Sequence, residues 1–275
     1  MTARSIRPAC WWKACRLAGA EDDRALIARA ARDAGQLALA FRARGLKAWD
    51  KAAGDPVSEA DIAADTLLKD RLIPARPGYG WLSEETADDR SRLSAARSFV
   101  VDPIDGTRAF LKGRPEFVVS VAVIENGAPV AAAVYDPSTE RLWDAALGAG
   151  ARLNGQPVRM SGHGVIAGAR LLGDPGRLTA LRDMGATAST VNSAALRLAL
   201  AASGLFDGVV AVRPKWDWDL AAGHLLVTEA GGRITDRAGD VLRYDRDLPR
   251  QPAPLAAGPA LHALLLERLA QEEEP

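Results

Sequence analysis

Apolar residues return every three or four positions over 21–44, at Leu26, Ile27, Ala30, Ala34, Leu37, Ala38 and Phe41, with acids in the first turn and arginines toward the end. That spacing predicts an amphipathic helix. After a break over 47–56, Ser58 stands as an N-cap with Asp61 as the acidic partner of a capping box. Ile62, Leu67, Leu68, Leu72 and Ile73 continue a second helix, which Pro74 is expected to stop. The rhythm then becomes that of strands: short apolar runs over 79–85 and 98–101, and a pair over 117–125 and 129–135 joined by Asn126-Gly127, the dipeptide of a tight hairpin. Residues 141–147 extend the meander. Further on, strand-like runs at 165–172, 205–212 and 233–235 alternate with helical stretches at 175–184, 193–203 and 220–230, before a last helix over 259–273.

The first half therefore reads as α+β and the second as α/β, with a boundary over 154–164 and domains expected at 21–155 and 156–275. Residues 1–20 stand apart: they are basic, hold both cysteines and two tryptophans, contain no acid, and are expected to form a disordered tail. Cys10 and Cys15 have no second Cys or His pair beside them and read as inert thiols. A chain of 275 residues with 48% hydrophobic content has enough apolar surface for a substantial core, as one large domain or two. With 35 basic and 35 acidic residues the net charge is zero, so no electrostatic case exists for a nucleic-acid or membrane surface. No apolar run reaches the ~18 residues of a membrane span or resembles a signal-peptide core. The expected location is the cytoplasm.

Chemistry concentrates in three places. Asp102-Pro103-Ile104-Asp105-Gly106-Thr107 follows the strand at 98–101 and turns sharply, because Pro103 fixes φ and Gly106 permits backbone that other residues avoid. Such a turn aims Asp102 and Asp105 at one point, with the Ile104 carbonyl and the Thr107 hydroxyl beside them. Oxygen-only ligands suit Mg²⁺, Mn²⁺ or Ca²⁺, although the same spacing also fits a turn in which the aspartates only cap the backbone. Glu84-Glu85 ends the strand at 79–85, where adjacent carboxylates are either solvated or held by a cation. In Trp216-Asp217-Trp218-Asp219-Leu220-Ala221-Ala222-Gly223, Asp219 opens a helix whose small residues allow close packing, and an N-cap is its simplest role.

Taken together and in order, Glu84-Glu85, D-P-I-D-G-T at 102–107, W-D-L-A-A-G at 218–223 and E-A-G-G at 229–232 closely resemble the inositol monophosphatase superfamily, as do D-P-V-S-E-A-D at 55–61 and N-S-A-A-L at 192–196. The resemblance covers roughly 22–270 and implies a layered αβαβα sandwich of mixed α+β and α/β character, with most metal ligands in the first domain and Asp219 in the second. It implies that Glu84, Asp102, the Ile104 carbonyl, Asp105 and Asp219 hold two or three Mg²⁺ ions. Glu85, Thr107 and Asp61 are then the catalytic residues that hold, orient and deprotonate an attacking water. Gly106, Thr107, Asn192, Ser193, Arg213, Lys215 and Asp219 become candidates for substrate binding. The reaction implied is hydrolysis of a small phosphomonoester, with a lithium-sensitive homodimer expected. Inositol-phosphate members carry an acid in the loop before W-D, whereas 209–215 here offers Arg213 and Lys215. Two cations favour a second negative charge on the substrate, as in a 3'(2'),5'-bisphosphate nucleotide, though they equally fit solvated surface charge. Gly113-Arg114-Pro115 is similar instead to the histidinol-phosphate branch. Inositol 1-phosphate, histidinol phosphate and fructose 1,6-bisphosphate remain alternative substrates, and binding to the transcription machinery is the non-enzymatic alternative.

Overall fold

The structure, a computed structural model, describes residues 8–52 and 54–273. Its first helix, α1, runs Pro8–Ala43, so the stretch expected as a disordered tail is helical from Pro8 onward. Residues 1–7 and the side chains of Cys10 and Cys15 lie outside what is described. The break expected after α1 is a hairpin, β1 (Ala48–Ala52) and β2 (Asp55–Ser58), all but the end of which is exposed. Helix α2 (Glu59–Ala75) opens with the capping box read from sequence: Ser58 Oγ accepts from Ala60 N–H, and the Asp61 carboxylate takes the Ser58 N–H at 2.9 Å. Pro74 does not stop this helix, which ends one residue later, because α2 is already in its last turn and loses little by the missing donor.

Seven strands make the larger sheet: β3 (Gly80–Ser83), β4 (Arg97–Asp105), β5 (Val118–Glu125), β6 (Ala128–Asp136), β7 (Arg141–Ala146), β8 (Gly150–Leu153) and β9 (Gln156–Val158), in that spatial order. Only β3 and β4 pair in parallel. A short helix, α3 (Thr107–Leu111), follows β4. Asn126 and Gly127 both have positive φ (54° and 73°), as a two-residue hairpin turn requires.

The smaller sheet comes from β10 (Arg170–Leu172), β11 (Thr187–Ser189), β12 (Gly208–Val210), β14 (Arg233–Asp236) and β16 (Pro254–Ala257), ordered β11-β10-β12-β16-β14. These strands are shorter than the apolar runs at 165–172 and 205–212 suggested, since most of each run is loop. Around them lie α4 (Thr179–Asp183), α5 (Ala194–Ala202), α6 (Asp217–Glu229) and α7 (Pro259–Glu273), while β13 (Lys215–Trp216) pairs with β15 (Arg250–Gln251).

The apolar clusters show the layers. Residues of α1 and α2, such as Ile27, Ala31 and Leu68, pack with Val101, Val119 and Val121 on one face of the large sheet. On its other face Val100, Ala122 and Val134 meet α5 and α6, whose far sides meet Val209 and Ala256 of the small sheet. Leu181, Leu261 and Leu265 of α4 and α7 cover the outer side of that sheet. The result is the αβαβα sandwich expected. Alternate residues of β4 and β5 belong to different clusters because neighbouring side chains in a strand point to opposite faces. The central helices approach closely: a Cβ at Gly223 of α6 would come within 2.5 Å of the Leu198 side chain of α5. Among the described residues no helix is long and apolar enough to cross a membrane.

Candidate active site

A classic alternation would point Asp102 and Asp105, three apart on β4, to opposite faces of the sheet. The register shows how this is avoided. Asp102 pairs with Ser120 and Asp105 with Val118, so three steps on β4 match two on β5, and the extra residue turns both carboxylates the same way. Pro103 sits within the bulge, and Ile104 N–H donates to Asp102 Oδ1 at 3.0 Å. Gly106 follows at φ 107°, where a Cβ would lie 2.6 Å from the Glu116 carbonyl oxygen, so only glycine fits the turn.

Asp105 is clasped from the other half of the chain. Ser193 Oγ and Ala195 N–H donate to Asp105 Oδ2 at 2.7 and 2.6 Å. Ser193 is also the N-cap of α5, accepting from Leu196 N–H, and is fully buried. The residue expected to touch substrate thus stands behind a carboxylate and holds it. Asn192 next to it is exposed on the cavity wall. Asp219 occupies the third position of α6, not its cap: its Oδ2 accepts from Trp216 N–H at 2.9 Å. One carboxylate oxygen from each of Asp102, Asp105 and Asp219 falls within 4.8 Å of the others.

Glu84 and Glu85 follow β3, beside Asp102. Asp65, one turn beyond Asp61 on α2, holds their loop by accepting from Ser83 Oγ at 2.5 Å and Thr86 Oγ1 at 2.6 Å. The cation beside these two acids is a lysine: Lys51 Nζ lies 3.0 Å from both Glu84 Oε1 and Glu85 Oε1. Lys51 escaped the sequence reading because its strand was taken for a break. Thr107 Oγ1 lies 3.2 Å from Asp61 Oδ1 and 3.0 Å from the Ile104 carbonyl oxygen, so the expected Thr107–Asp61 pair is formed.

Electrostatics tie these groups together. Burial, then the charges of Glu84, Asp105 and Asp219, raise Asp102 well above the usual carboxylate range. Burial raises Asp105 despite the opposing Ser193 and Ala195 hydrogen bonds. Burial and Asp105 push Asp219 to about 7, against the pull of Lys215. Burial and Glu84 push Glu85 to about 7, and burial lifts Asp61 to about 6 against its Ser58 and Thr107 hydrogen bonds. Carboxylates so placed lose much of this strain when a multivalent cation sits among them. Their donor set is all oxygen, which fits Mg²⁺ and excludes the thiolate and imidazole chemistry of structural zinc.

The acids open into a cavity of about 600 Å³. Glu84, Asp102, Ile104, Asp105, Gly106, Thr107 and Asp219 line it together with Lys51, Arg108, Asn192, Arg213, Lys215, Trp216 and Trp218. Asp61 and Glu85 stand behind the wall. The two tryptophans are stacked, with ring centres 5.0 Å apart and planes at 9°. The cavity thus brings acids that could hold a cation beside basic side chains that could attract an anion.

Comparison with known proteins agrees. The model of the inositol monophosphatase family matches residues 21–274. An inositol-1-monophosphatase of Rhizobium meliloti is 38% identical over 206 residues, which is 69% of this chain and 75% of that protein. The Nus factor SuhB of Escherichia coli is 36% identical over 230 residues, 78% of this chain and 85% of the relative. Among solved structures, the extragenic suppressor protein SuhB of Bartonella henselae superposes with a TM-score of 0.79 at 31% identity, covering 89% of this chain and 96% of that one. An IMPase of Thermotoga maritima does so with 0.80 at 25% identity, covering 91% and 97%. With this fold, this order of motifs and these relatives, the chain belongs to the inositol monophosphatase family and is a phosphoric monoester hydrolase.

Proposed function

We propose that the chain removes one phosphate from a 3'(2'),5'-bisphosphate nucleotide, converting adenosine 3',5'-bisphosphate and water into AMP and phosphate. The observation that carries this reading is one cavity lined both by three converging carboxylates and by two cations, Arg213 and Lys215. Glu84, Asp102, the Ile104 carbonyl, Asp105 and Asp219 would hold two or three Mg²⁺ ions. When bound, such ions neutralise the phosphate charge and make a water a better nucleophile. The chain's own groups do the rest. Thr107, donating its single hydroxyl proton to ionised Asp61, keeps a lone pair for the proton of the attacking water. Glu85 supports this water from behind Glu84. Gly106 and Thr107 offer N–H groups that α3 leaves without intrahelical partners, and Asn192 reaches the substrate from its place in the cavity lining. Arg213 and Lys215 attract the second phosphate.

A second reading is inositol 1-phosphate, favoured by the R. meliloti relative. The likeness to Nus factor SuhB favours a separate role as a binding partner of the transcription machinery; a pull-down that survives Asp105→Asn would support it. Phosphate release with Mg²⁺ present or chelated, across adenosine 3',5'-bisphosphate, inositol 1-phosphate, fructose 1,6-bisphosphate and histidinol phosphate, tests the choice. The expected result is the highest kcat/KM with the nucleotide. Preference for inositol 1-phosphate would replace the proposal with the second reading. The same reading carries a homodimer and inhibition by Li⁺, checked by light scattering and by inclusion of LiCl in the assay.

A further inference from the structure

Arg213 and Lys215 stand between two cavities. Beyond them lies a second one of about 430 Å³, also lined by Asp174, Pro175, Thr190 and Arg197. Arg197 belongs to α5, four residues after Ser193, so the same helix face that clasps Asp105 brings a guanidinium to the neighbouring hollow. Its Nε donates to the Val191 carbonyl at 2.5 Å and one Nη to Thr190 Oγ1 at 3.3 Å. Those bonds orient the group without neutralising it. Among the described residues neither Arg197, Arg213 nor Lys215 forms an ion pair; the charges felt by Arg197 are those of Asp105, Asp174 and Asp219. Asp174 already gives Oδ1 to the Gly176 N–H at 2.9 Å. A half-buried arginine whose hydrogen bonds go only to neutral partners, in a hollow it shares with Arg213 and Lys215, keeps guanidinium donors for an anion.

We infer that Arg197, Arg213 and Lys215 form a second anion subsite, next to the hydrolytic centre, that seats the phosphate which is not cleaved. This inference rests on the reading of the substrate as a bisphosphate, and it adds the residue and the cavity that sort such substrates from monophosphates. The planar fork of Arg197 suits the bidentate recognition of a phosphate group, and Lys215 links the two cavities because its charge also reaches Asp105 and Asp219.

The test is steady-state kinetics of the full chain with saturating Mg²⁺ on adenosine 3',5'-bisphosphate and adenosine 3'-monophosphate. It compares wild type, Arg197→Gln, Arg197→Lys and Arg213→Gln, each first checked by circular dichroism. Wild type is expected to prefer the bisphosphate, mainly through KM. Arg197→Gln should lower that preference by about tenfold or more, as expected for one lost charge-assisted contact, with Arg197→Lys restoring part of it. If Arg197→Gln fails to fold, Arg213→Gln, at an exposed position, must lower the preference in the same direction. A purely structural role would depress both substrates together and leave the ratio intact, which would overturn the subsite. So would a wild type that cleaves both nucleotides equally well, although the phosphatase would stand. Release from inositol 1-phosphate with neither nucleotide cleaved overturns the nucleotidase reading and the subsite with it.

Discussion

The acidic and the basic residues that line the active-site cavity are held in different ways. On the acidic side, Asp105 and Asp219 are held by backbone N–H groups at helix starts and Asp102 by a bulge, and their neighbours reinforce each one. On the basic side, Arg213 and Lys215 project from a loop and a two-residue strand and form no ion pair among the described residues. The acidic wall is thus pre-shaped for a cation, since its groups repel one another until one arrives. Arg213 keeps its charge for whatever enters, while that of Lys215 also acts on Asp105 and Asp219. The comparison teaches that the acids are fixed by packed helices, where every displacement disturbs the core, whereas the basic residues sit where a loop substitution costs little structure.

The strongest way to break this contrast is Asp105→Asn, which preserves shape and removes charge. It should leave the fold intact and lower kcat by about 10²–10³ or more, in line with other lost electrostatic groups. Turnover like that of wild type would show that the acidic wall is not the hydrolytic centre.

Next comes the cation itself. At pH 8, Mg²⁺ at about 100 times its Kd should stabilise the wild type by about 3 kcal/mol, read as a higher Tm that chelation reverses and Asp105→Asn diminishes. The raised carboxylates set the pH dependence. Folded Asp219 and Glu85 hold protons up to about 7, which the unfolded chain releases near 4. Their stabilising contribution to the metal-free protein is therefore present at low pH and lost as pH rises through about 7. Relative to Asp219→Asn, metal-free wild type should lose Tm between pH 5 and 8, while its Mg²⁺ affinity rises over the same interval because ligation needs the deprotonated form. A flat difference between the two proteins would contradict the placement of Asp219 among the acids.

A smaller effect is expected at the support of the acidic wall. Ser193→Ala removes an N-cap and the hydroxyl that donates to Asp105. It should cost about 1–2 kcal/mol of stability, measured by denaturant melts, and reduce kcat more than it raises KM. The smallest is at Lys51, which lies against Glu84 and Glu85 from a mostly exposed hairpin. Burial lowers its pKa and the two glutamates more than reverse this, so it is protonated and competes with added cations for the same oxygens. Lys51→Met should tighten Mg²⁺ binding by roughly twofold to fivefold, the size of a partly exposed ion pair, seen by titration calorimetry.

Features whose cause is local were legible early. The capping box at Ser58 and Asp61, the Asn126-Gly127 hairpin, the last helix and the sharp turn after Asp102 depend on residues within a few positions of one another. The acids were recognisable because motifs in a fixed order implied a family, not because spacing alone distinguished ligands from caps. Features made by contacts across the chain were misread or missed. Short strands such as β11 and β16 carry little pattern of their own and exist through their neighbours. Ser193 was taken for a substrate contact, yet it reaches Asp105 from 88 positions away. Arg197 lies within the helical stretch at 193–203 with no motif to single it out, and only the structure puts it in one hollow with Arg213 and Lys215.

The sequence by itself therefore determined the order of the acid-bearing motifs, the local turns that present them and the family to which the chain belongs. Tertiary structure alone decided that the bulge in β4 puts Asp102 and Asp105 on one side, that α5 and α6 bring Ser193 and Asp219 to them, and that Lys51 and Arg197 flank the result. The reason is physical: turn and cap preferences are short-range and written in adjacent residues, whereas the meeting of distant charges depends on how five layers bury their apolar faces, and that is a property of the packed chain as a whole.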